Sequence, residues 1–424
     1  MELTDDDRAM LDGTRGEAAR RAMEGLVQLG EAFGAEDMVS IGYAHVHPGM
    51  AMYARDVELL EDLVAEGARV VVPTSANIAN VDTENWGLTG APESLVRLHR
   101  RGVAAHTALG CASAMTCTPY WAGHWPTWNT HMTSIESTVT VFCNSVLGAR
   151  SNRDGFFSVY AAITGRYPRF GYHLDQHRRG SMLVRVEARP EGVSDYSALG
   201  YHVGALVGDG VPVFTGFPGR PSLDELDALG ATLATAGAVS LFIVPGVTPP
   251  FQTIEDAFRG GRPEHQVVVR DEDVEAVYGS FATAPAGSEV DFVHLGCPHA
   301  SFEEMKAYAS LLADVTVDPS VDLWITASRA VRNLAADAGI LSAIEAAGAK
   351  VISDTCPMSC HFARTTSPDP DIELPPPRIR TMVVDSAKQA KYVRDMIGCR
   401  ALFTTSEAAV RSAVTGRFHP RPPP

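Results

Sequence analysis

The chain of 424 residues has few charged side chains, few cysteines and no long apolar segment. Charged residues make up 20% of it, and its 35 Lys and Arg against 51 Asp and Glu give a net charge of −16. This shortage of basic residues argues against nucleic acids and anionic membrane surfaces as general partners. No run approaches about 18 apolar residues, and the acidic start MELTDDDRAMLDG lacks the basic and apolar regions of a signal peptide. We therefore expect a cytoplasmic protein.

Cysteine is also scarce. Seven cysteines in a reducing compartment do not suggest a disulfide framework, since an odd number leaves at least one unpaired. Hydrophobic residues at 45% are typical of a globular interior, and the length corresponds to about three domains. We expect an N-terminal region at 1–185, a middle region at 186–285 and a C-terminal domain at 286–424.

The apolar pattern alternates between helical and strand-like periods. Helices are predicted over 4–33 with a break near Gly13, 54–66 and 222–236, and strands over 38–43, 68–73 and 238–244. Residues 132–143 fit a helix, or a buried strand at 138–143. The Pro-rich segment 365–378 predicts a surface loop.

Strand and helix alternate most regularly in the last third of the chain. The predicted strands are 291–295, 321–326, 350–354, 382–385 and 401–405, and helices begin at Ser301, Ser328 and Ser386. This order is typical of a parallel, doubly wound sheet, in which ligands bind at the carboxyl ends of the strands. The predicted fold class is α/β.

Three cysteines have distinctive positions relative to these predicted strands. Cys297 and Cys356 each follow a predicted strand and precede a proline, and Cys117 lies in the similar context TCTPY. Three thiolates suit zinc or iron–sulfur chemistry and leave one coordination position for a substrate. Cys360 follows Cys356 with a CxxxC spacing and could close the site with a fourth ligand. The other cysteines, Cys111, Cys143 and Cys399, are expected in the core.

The segment NSVLGARSNRDG, residues 144–155, is dense in hydrogen-bond donors. Its two arginines could hold a carboxylate, its polar side chains could orient neutral oxygens, and Gly148 permits close backbone approach. The candidate substrate-binding residues are Asn144, Ser145, Gly148, Arg150, Asn152 and Arg153. Glu136 and His45 are candidate acid–base groups.

Several motifs taken in order resemble the large subunit of the aconitase X family, from about residue 3 to about 415. They are the N-terminal segment from LTDDDRAML to VSI, TCTPY, NSVLGARSNRDG, LGCPHASFEEM, WITASRAV, SDTCP and DSAKQAKY. The resemblance implies an aconitase-like fold of several three-layer α/β domains with parallel doubly wound sheets, without the swivelling domain. It also implies an iron–sulfur cluster or mononuclear iron held by Cys117, Cys297 and Cys356.

The implied activity is a hydro-lyase that dehydrates a small hydroxy carboxylic acid. The expected substrate is cis-3-hydroxy-L-proline, and the alternative is mevalonate 5-phosphate, for which Arg166, Arg169, Arg178 and Arg179 are available as a second anion pocket. A small swivelling subunit is expected to supply the serine that acts as base. Further expected substrate contacts are Thr74, Ser75, Asn77, Ser386 and Lys388. A non-catalytic iron–sulfur or zinc protein is the alternative of another class.

Overall fold

The computed structural model describes residues 1–47, 53–361, 371–374 and 379–422. Within these ranges no helix combines the length and the apolar character needed to cross a membrane. The Pro-rich segment 365–378 lies outside the described residues except for 371–374, which form neither helix nor strand.

The first part of the chain contains a small parallel sheet and an antiparallel strand pair. Its helices are α1 (Asp5–Leu11), α2 (Glu17–Ala32), α3 (Ala54–Ala65), α4 (Trp86–Thr89), α5 (Glu93–Leu109), α6 (Ser137–Ser145) and α7 (Phe157–Thr164). Its strands are β1 (Met38–Ser40), β2 (Tyr43–Val46), β3 (Thr74–Ala76), β4 (Met132–Ser134) and β5 (Arg166–Pro168). The parallel sheet has the order β3-β2-β4, whereas β1 and β5 pair antiparallel.

Several predictions for this part are confirmed and one is wrong. The predicted N-terminal helix is broken around Gly13, and Thr4 caps α1 by accepting a hydrogen bond from Asp7 N at 3.2 Å. Residues 138–143 lie inside the helix α6. No strand forms over 68–73, because Val70 N and Val71 N donate to the carbonyls of Leu109 and Ala162 instead of to a neighbouring strand. The strand begins only at Thr74.

The middle part is a second three-stranded parallel sheet with its helices. Its elements are β6 (Met182–Val186), α8 (Gly192–Val207), β7 (Pro212–Thr215), α9 (Leu223–Ala236), α10 (Ile254–Ala257), β8 (His265–Val269) and α11 (Asp271–Phe281). The sheet has the order β7-β6-β8, and Ser222 caps the predicted helix α9.

The predicted strand 238–244 is wrong, although the segment is buried. Only Ile243 bridges to Val213 of β7. Phe242 N donates to Ser145 Oγ and Val244 N to Thr248 Oγ1, both at 2.9 Å. The donors of Phe242 and Val244 face away from β7, and Pro245 has no N–H with which to extend the pairing that Ile243 makes with β7.

The last part forms a five-stranded parallel sheet. Its elements are β9 (Phe292–Ala300), α12 (Phe302–Leu311), β10 (Asp322–Ala327), α13 (Arg329–Asp337), α14 (Ile340–Ala346), β11 (Lys350–Ile352), β12 (Thr381–Val384), α15 (Ala387–Tyr392), a π-helical turn (Val393–Ile397), β13 (Arg400–Phe403) and α16 (Ser406–Thr415). The strand order β11-β10-β9-β12-β13 is that of a doubly wound sheet. The order reverses between β9 and β12, and the crevice beyond such a switch point is where ligands bind.

Helices cover both faces of this sheet. Val293 and Leu323 belong to the core on the side of α12, α13, α14 and α16. Phe292 and Trp324 point to the other side, where α15 packs together with α8 and α9 of the middle part. The middle and last parts therefore share one hydrophobic core, which holds α15 and its polar side chains in place.

Candidate active site

A cavity of about 490 Å³ lies between the first and last parts of the chain, at the carboxyl ends of their parallel strands. Segments after β3 and β4 form one side, and the last residues of β9 together with segments after β11 and β12 form the other. The lining residues that matter below are Asn77, Cys117, Glu136, Ser137, Arg153, Asp154, Cys297, His299, Cys356, Lys388, Gln389 and Tyr392.

The three cysteines singled out from the sequence all line this cavity. Cys297 does not follow β9 as predicted but lies inside it, in a bulge. Pairing with β10 is regular from Phe292 to Leu295 and resumes only at Ala300. Gly296 has a φ of +83°, and a Cβ there would lie 2.4 Å from Thr326 O. Glycine thus permits the turn that directs the Cys297 segment to the cavity.

Burial raises the pKa of all three thiols, that of Cys297 to about 12. The nearby carboxylate of Glu136 also raises the pKa of Cys117, and Lys388 partly offsets the effect of burial at Cys117 and Cys297. His299 N donates to Cys117 Sγ at 3.3 Å. The free chain therefore holds these groups as neutral thiols.

Three thiols in one cavity fit, by their chemistry, the iron–sulfur cluster or mononuclear iron that the sequence led us to expect. In the part of the chain that the structure describes, no three His, Cys, Asp or Glu side chains are grouped to hold one metal ion. Three thiols nevertheless line one cavity, and in a cluster each iron can take a separate thiolate. Cys117, Cys297 and Cys356 would be the residues that hold it.

The other cysteines lie away from the cavity lining. Cys111 and Cys143 are buried in hydrophobic cores, and Cys399 packs against the core shared by the middle and last parts. Cys360 is buried in that same core, with its Sγ 3.6 Å from Pro357 O.

An ion pair crosses the cavity between Glu136 and Lys388. Lys388 Nζ on α15 lies 3.0 Å from Glu136 Oε1 and 2.6 Å from Thr138 Oγ1. Burial opposes ionisation of Glu136, but Lys388 and the N–H of Thr138 outweigh it and lower the pKa of Glu136 to about 2. Burial likewise opposes the charge of Lys388, and Glu136 outweighs it, so the pKa of Lys388 lies above its usual value. Both groups are charged near neutral pH.

His45 lies behind the cavity and not in its lining. Its Nδ1 is 2.8 Å from Ser75 Oγ, which is 2.5 Å from the hydroxyl of Tyr43. Burial lowers the pKa of His45 to about 4, so the ring is neutral. Thr74 donates to Val72 O. Among the residues predicted around β2 and β3, only Asn77 reaches the cavity, and its Nδ2 lies 3.5 Å from Glu136 Oε2.

The donor-rich segment 144–155 brings only Arg153 of its six predicted residues to the cavity. The segment runs parallel to β4, with Arg150 bridged to His131 and Arg153 to Ser134. Arg153 is therefore at the carboxyl end of β4, where the cavity lies, and Arg150 is at the opposite end. There Arg150 binds Asp175 Oδ1 at 2.6 Å and Asn129 Oδ1 at 2.8 Å.

The remaining residues of that segment have structural contacts. Asn144 Nδ2 donates to Ser151 O and to Ser240 O at 2.8 Å. Ser145 Oγ accepts from Phe242 N, and Asn152 Oδ1 from Tyr172 N, both at 2.9 Å. Gly148 has a φ of +70°, and a Cβ there would lie 2.7 Å from Trp128 Cδ1. These residues shape the fold around the cavity and do not line it.

The four arginines considered for a second anion pocket do not line the cavity either. Arg166 pairs with Asp7 at 2.7 Å and Arg169 with Asp37. Arg178 Nη1 donates to Asn144 Oδ1 at 3.1 Å, and Arg179 Nη2 to Arg262 O at 3.1 Å. Ser386, also predicted in the site, lies behind Cys297 in a small pocket that includes Asp227 and Asp385.

The structure also brings residues to the cavity that the sequence prediction missed. His299 joins two cysteine segments, because its Nδ1 lies 3.0 Å from Thr116 Oγ1 and its Nε2 3.1 Å from Thr355 O. Burial lowers the pKa of His299 to about 4. Its position two residues after the candidate ligand Cys297 could have identified His299 from the sequence. Asp154, Ser137, Gln389 and Tyr392 had no comparable signal.

Comparison with known proteins agrees with this architecture. The chain matches the family models for the first, second and third domains of aconitase X over residues 1–176, 180–279 and 290–415. It is similar to the crystal structure of Thermococcus kodakaraensis aconitase X in its holo-form, with a TM-score of 0.84 and 33% identity over 97% of this chain and 100% of that chain. The α/β fold of several domains with parallel sheets is thereby confirmed.

Two curated relatives are dehydratases. The phosphomevalonate dehydratase large subunit of Methanothermobacter thermautotrophicus is 39% identical over 94% of this chain and 95% of the relative. The cis-3-hydroxy-L-proline dehydratase of Pseudomonas aeruginosa is 34% identical over 97% of this chain and 70% of the relative. The chain therefore belongs to the aconitase X family and is a hydro-lyase.

Proposed function

We propose that this hydro-lyase dehydrates cis-3-hydroxy-L-proline. The observation that carries the proposal is the charge of the cavity. Lys388 is neutralised by Glu136, whereas Arg153 has no ion-pair partner among the described residues and faces the cavity from an exposed position. One free guanidinium, beside a lysine that is already paired, suits a substrate with a single carboxylate such as an amino acid.

Arg153 would bind the substrate carboxylate, and Asn77 would orient a neighbouring polar group. Pairing with Glu136 would keep the Lys388 ammonium charged and in place close to Cys117 and Cys297. An iron–sulfur centre held by Cys117, Cys297 and Cys356 would act as a Lewis acid toward the leaving hydroxyl.

The base would come from a small subunit. Glu136 is held as a paired carboxylate and His299 is hydrogen-bonded at both ring nitrogens, so neither is well suited to take a proton from the substrate. One relative is named a large subunit and matches this chain over nearly its full length. The Pseudomonas relative is longer, since this chain covers 70% of it. The name of the Methanothermobacter relative supports a partner subunit.

Mevalonate 5-phosphate is the second candidate, favoured by the 39% identity to a phosphomevalonate dehydratase large subunit of matching length. The position of the four extra arginines outside the cavity weighs against it. A purely structural metal site is less well supported, because Cys360 lies outside the cavity lining.

The test is to assay the iron-loaded complex of the full chain and its small subunit with each acid. We expect loss of water from cis-3-hydroxy-L-proline, detected as the cyclic imine, and no turnover of mevalonate 5-phosphate. Turnover of the phosphorylated acid alone would overturn the substrate assignment. Turnover of both at similar kcat/KM would contradict the charge argument.

A further inference from the structure

Gln389 is a buried polar residue of the cavity whose side-chain amide has no hydrogen-bond partner among the described residues. It lies on α15 directly after Lys388, has 0% exposed surface and belongs to the cavity lining. Neither its Nε2 nor its Oε1 forms a hydrogen bond within the described part of the chain. Its neighbour Lys388, by contrast, has Glu136 and Thr138 as partners.

An amide left unpaired in a protein interior is costly, and the great majority of buried polar groups are hydrogen-bonded. The cost is not relieved by movement of the helix. Ala387 and Ala390 are fully buried in the core shared with the middle part, and Ala387 N donates to Ser197 Oγ at 2.9 Å. The packing of α15 therefore fixes the backbone that presents Gln389 to the cavity, as expected of a residue that binds a substrate group.

We propose that Gln389 is a specificity-determining residue that hydrogen-bonds a neutral or singly charged polar group of the substrate, either its hydroxyl or its ring amine. This inference rests on the proposed hydroxy-acid substrate. An amide offers a donor and an acceptor together but no charge, so it suits a hydroxyl or an amine and complements the carboxylate site at Arg153. Asn77 is the other amide of the cavity lining.

The first experiment measures the stability of the full chain with Gln389→Met, a substitution of similar length that keeps a good helix former. Removal of an unpaired amide leaves the melting temperature unchanged or raises it. A lowered melting temperature would show that the amide has a structural partner and would overturn the proposal. Gln28→Met, at an exposed position of α2, is the matched control.

The second experiment measures kinetics in the iron-loaded complex with the small subunit. For Gln389→Met we expect kcat/KM to fall about tenfold to a hundredfold, because a substrate group is left unpaired, while iron and sulfide content stay at wild-type levels. Unchanged kcat/KM, or a loss of iron equal to the loss of activity, would contradict a role in substrate binding.

Competitive inhibition then identifies the group. L-Proline lacks the hydroxyl, and cis-2-hydroxycyclopentane-1-carboxylate lacks the amine. If Gln389→Met weakens inhibition by one analogue and leaves the other unchanged, the contact is with the group that only the weakened analogue carries. Equal effects on both, or no effect on either, would overturn the proposal.

The substrate assignment can be wrong while the role proposed for Gln389 is right, and the experiments distinguish the two. If the wild-type complex dehydrates mevalonate 5-phosphate and not cis-3-hydroxy-L-proline, the substrate assignment is wrong, and the same variant is compared on the phosphorylated acid, which also carries a hydroxyl group. With mevalonate 5-phosphate as substrate, an undiminished kcat/KM of Gln389→Met would overturn the role of Gln389. A tenfold or larger loss of kcat/KM would support it. The stability comparison is independent of the substrate.

Discussion

Lys388 donates from Nζ to Glu136 Oε1 at 3.0 Å and so links the helix after β12 to the helix after β4. The side chains are 8% and 17% exposed. The two halves of the cavity wall, which lie about 250 residues apart in sequence, are thus held together by a buried ion pair. Replacing one residue of such a pair by an uncharged one leaves the other charge buried without an opposite charge beside it.

Lys388→Met is therefore expected to lower the free energy of unfolding by about 3–5 kcal/mol. The pKa of Glu136 should rise from about 2, since its main stabilising charge is lost. The double variant Lys388→Met/Glu136→Gln should recover much of the loss in urea unfolding. Lys391→Met, on the same helix but in a partly exposed pair with Asp395, should cost about 0.5 kcal/mol or less. A single variant as stable as the wild type would contradict this reasoning.

The three cavity cysteines should differ from the other cysteines in metal content. Cys117→Ala, Cys297→Ala and Cys356→Ala should each lose most of the bound iron and sulfide, measured after anaerobic reconstitution, because each removes one thiolate of the proposed centre. Cys143→Ala and Cys360→Ala are controls, since both residues are buried elsewhere. Loss of iron in Cys360→Ala would instead indicate a closed site with four ligands.

Arg153 and Arg150 lie three residues apart, and only the substitution of Arg153 should change KM. Arg153→Met should raise KM about tenfold to a hundredfold with little change in kcat, since a charge-assisted hydrogen bond to the carboxylate is lost. Arg150→Met should leave KM unchanged, because its guanidinium binds Asp175 and Asn129 away from the cavity. Steady-state kinetics of the complex measures both KM values. A raised KM for Arg150→Met together with an unchanged KM for Arg153→Met would indicate that Arg150 binds the carboxylate.

The last sheet was predictable from the sequence because its signals are local. Each strand is a short apolar run, and helices follow directly after capping serines such as Ser301, whose Oγ accepts from Glu304 N at 3.1 Å. The segments 68–73 and 238–244 carry the same apolar signal without forming strands. A strand requires partners on a neighbouring segment, and in these two segments loop carbonyls and side-chain oxygens take the backbone donors.

The candidate site also has some residues that local sequence signals reveal and others that only the fold reveals. Cys297 and Cys356 could be placed together because strand ends of a parallel sheet converge, whereas Cys117 was grouped with them by its similar context TCTPY. The choice between Arg150 and Arg153 depends on how the segment pairs with β4, which the sequence does not reveal. Gln389 was missed because a polar residue on a helix is usually solvated, and only the packing of α15 shows that it is buried.

Asp227 should make the stability depend on pH. Burial raises the pKa of Asp227 to about 7, although Tyr120 donates to its Oδ1 at 2.6 Å. In the unfolded chain the pKa is near 3.8, so between about pH 4 and 7 the folded state holds a proton that the unfolded state has lost. This group therefore makes the protein less stable as pH rises through that window.

Asp227→Asn removes this titration and should stabilise the protein at pH 8 by about 2–4 kcal/mol, with little gain at pH 4. Urea unfolding at the two pH values measures the difference. Glu303→Gln, at an exposed position, is the control and should show no such gain. Equal effects of Asp227→Asn at both pH values would contradict the assignment.

Arg421, near the end of the described chain, should contribute to stability far more than its terminal position suggests. Its Nη2 lies 2.9 Å from Asp195 Oδ2 on α8, it also pairs with Glu275, and its guanidinium stacks over the ring of Tyr278 at 5.1 Å. Asp195 is 3% exposed in its side chain, so removal of Arg421 leaves a buried carboxylate with only neutral donors such as the Tyr278 hydroxyl at 2.8 Å.

We expect Arg421→Met to lower the free energy of unfolding by about 2–4 kcal/mol and to speed amide exchange in α8, because the last part of the chain no longer holds this helix. Arg417→Met is the matched control on the same tail. Its pair with Glu289 is exposed, with a separation of 3.6 Å, and should be worth about 0.5 kcal/mol or less. Equal stability of the two variants in urea would show that the contact at Asp195 does not join the middle and last parts.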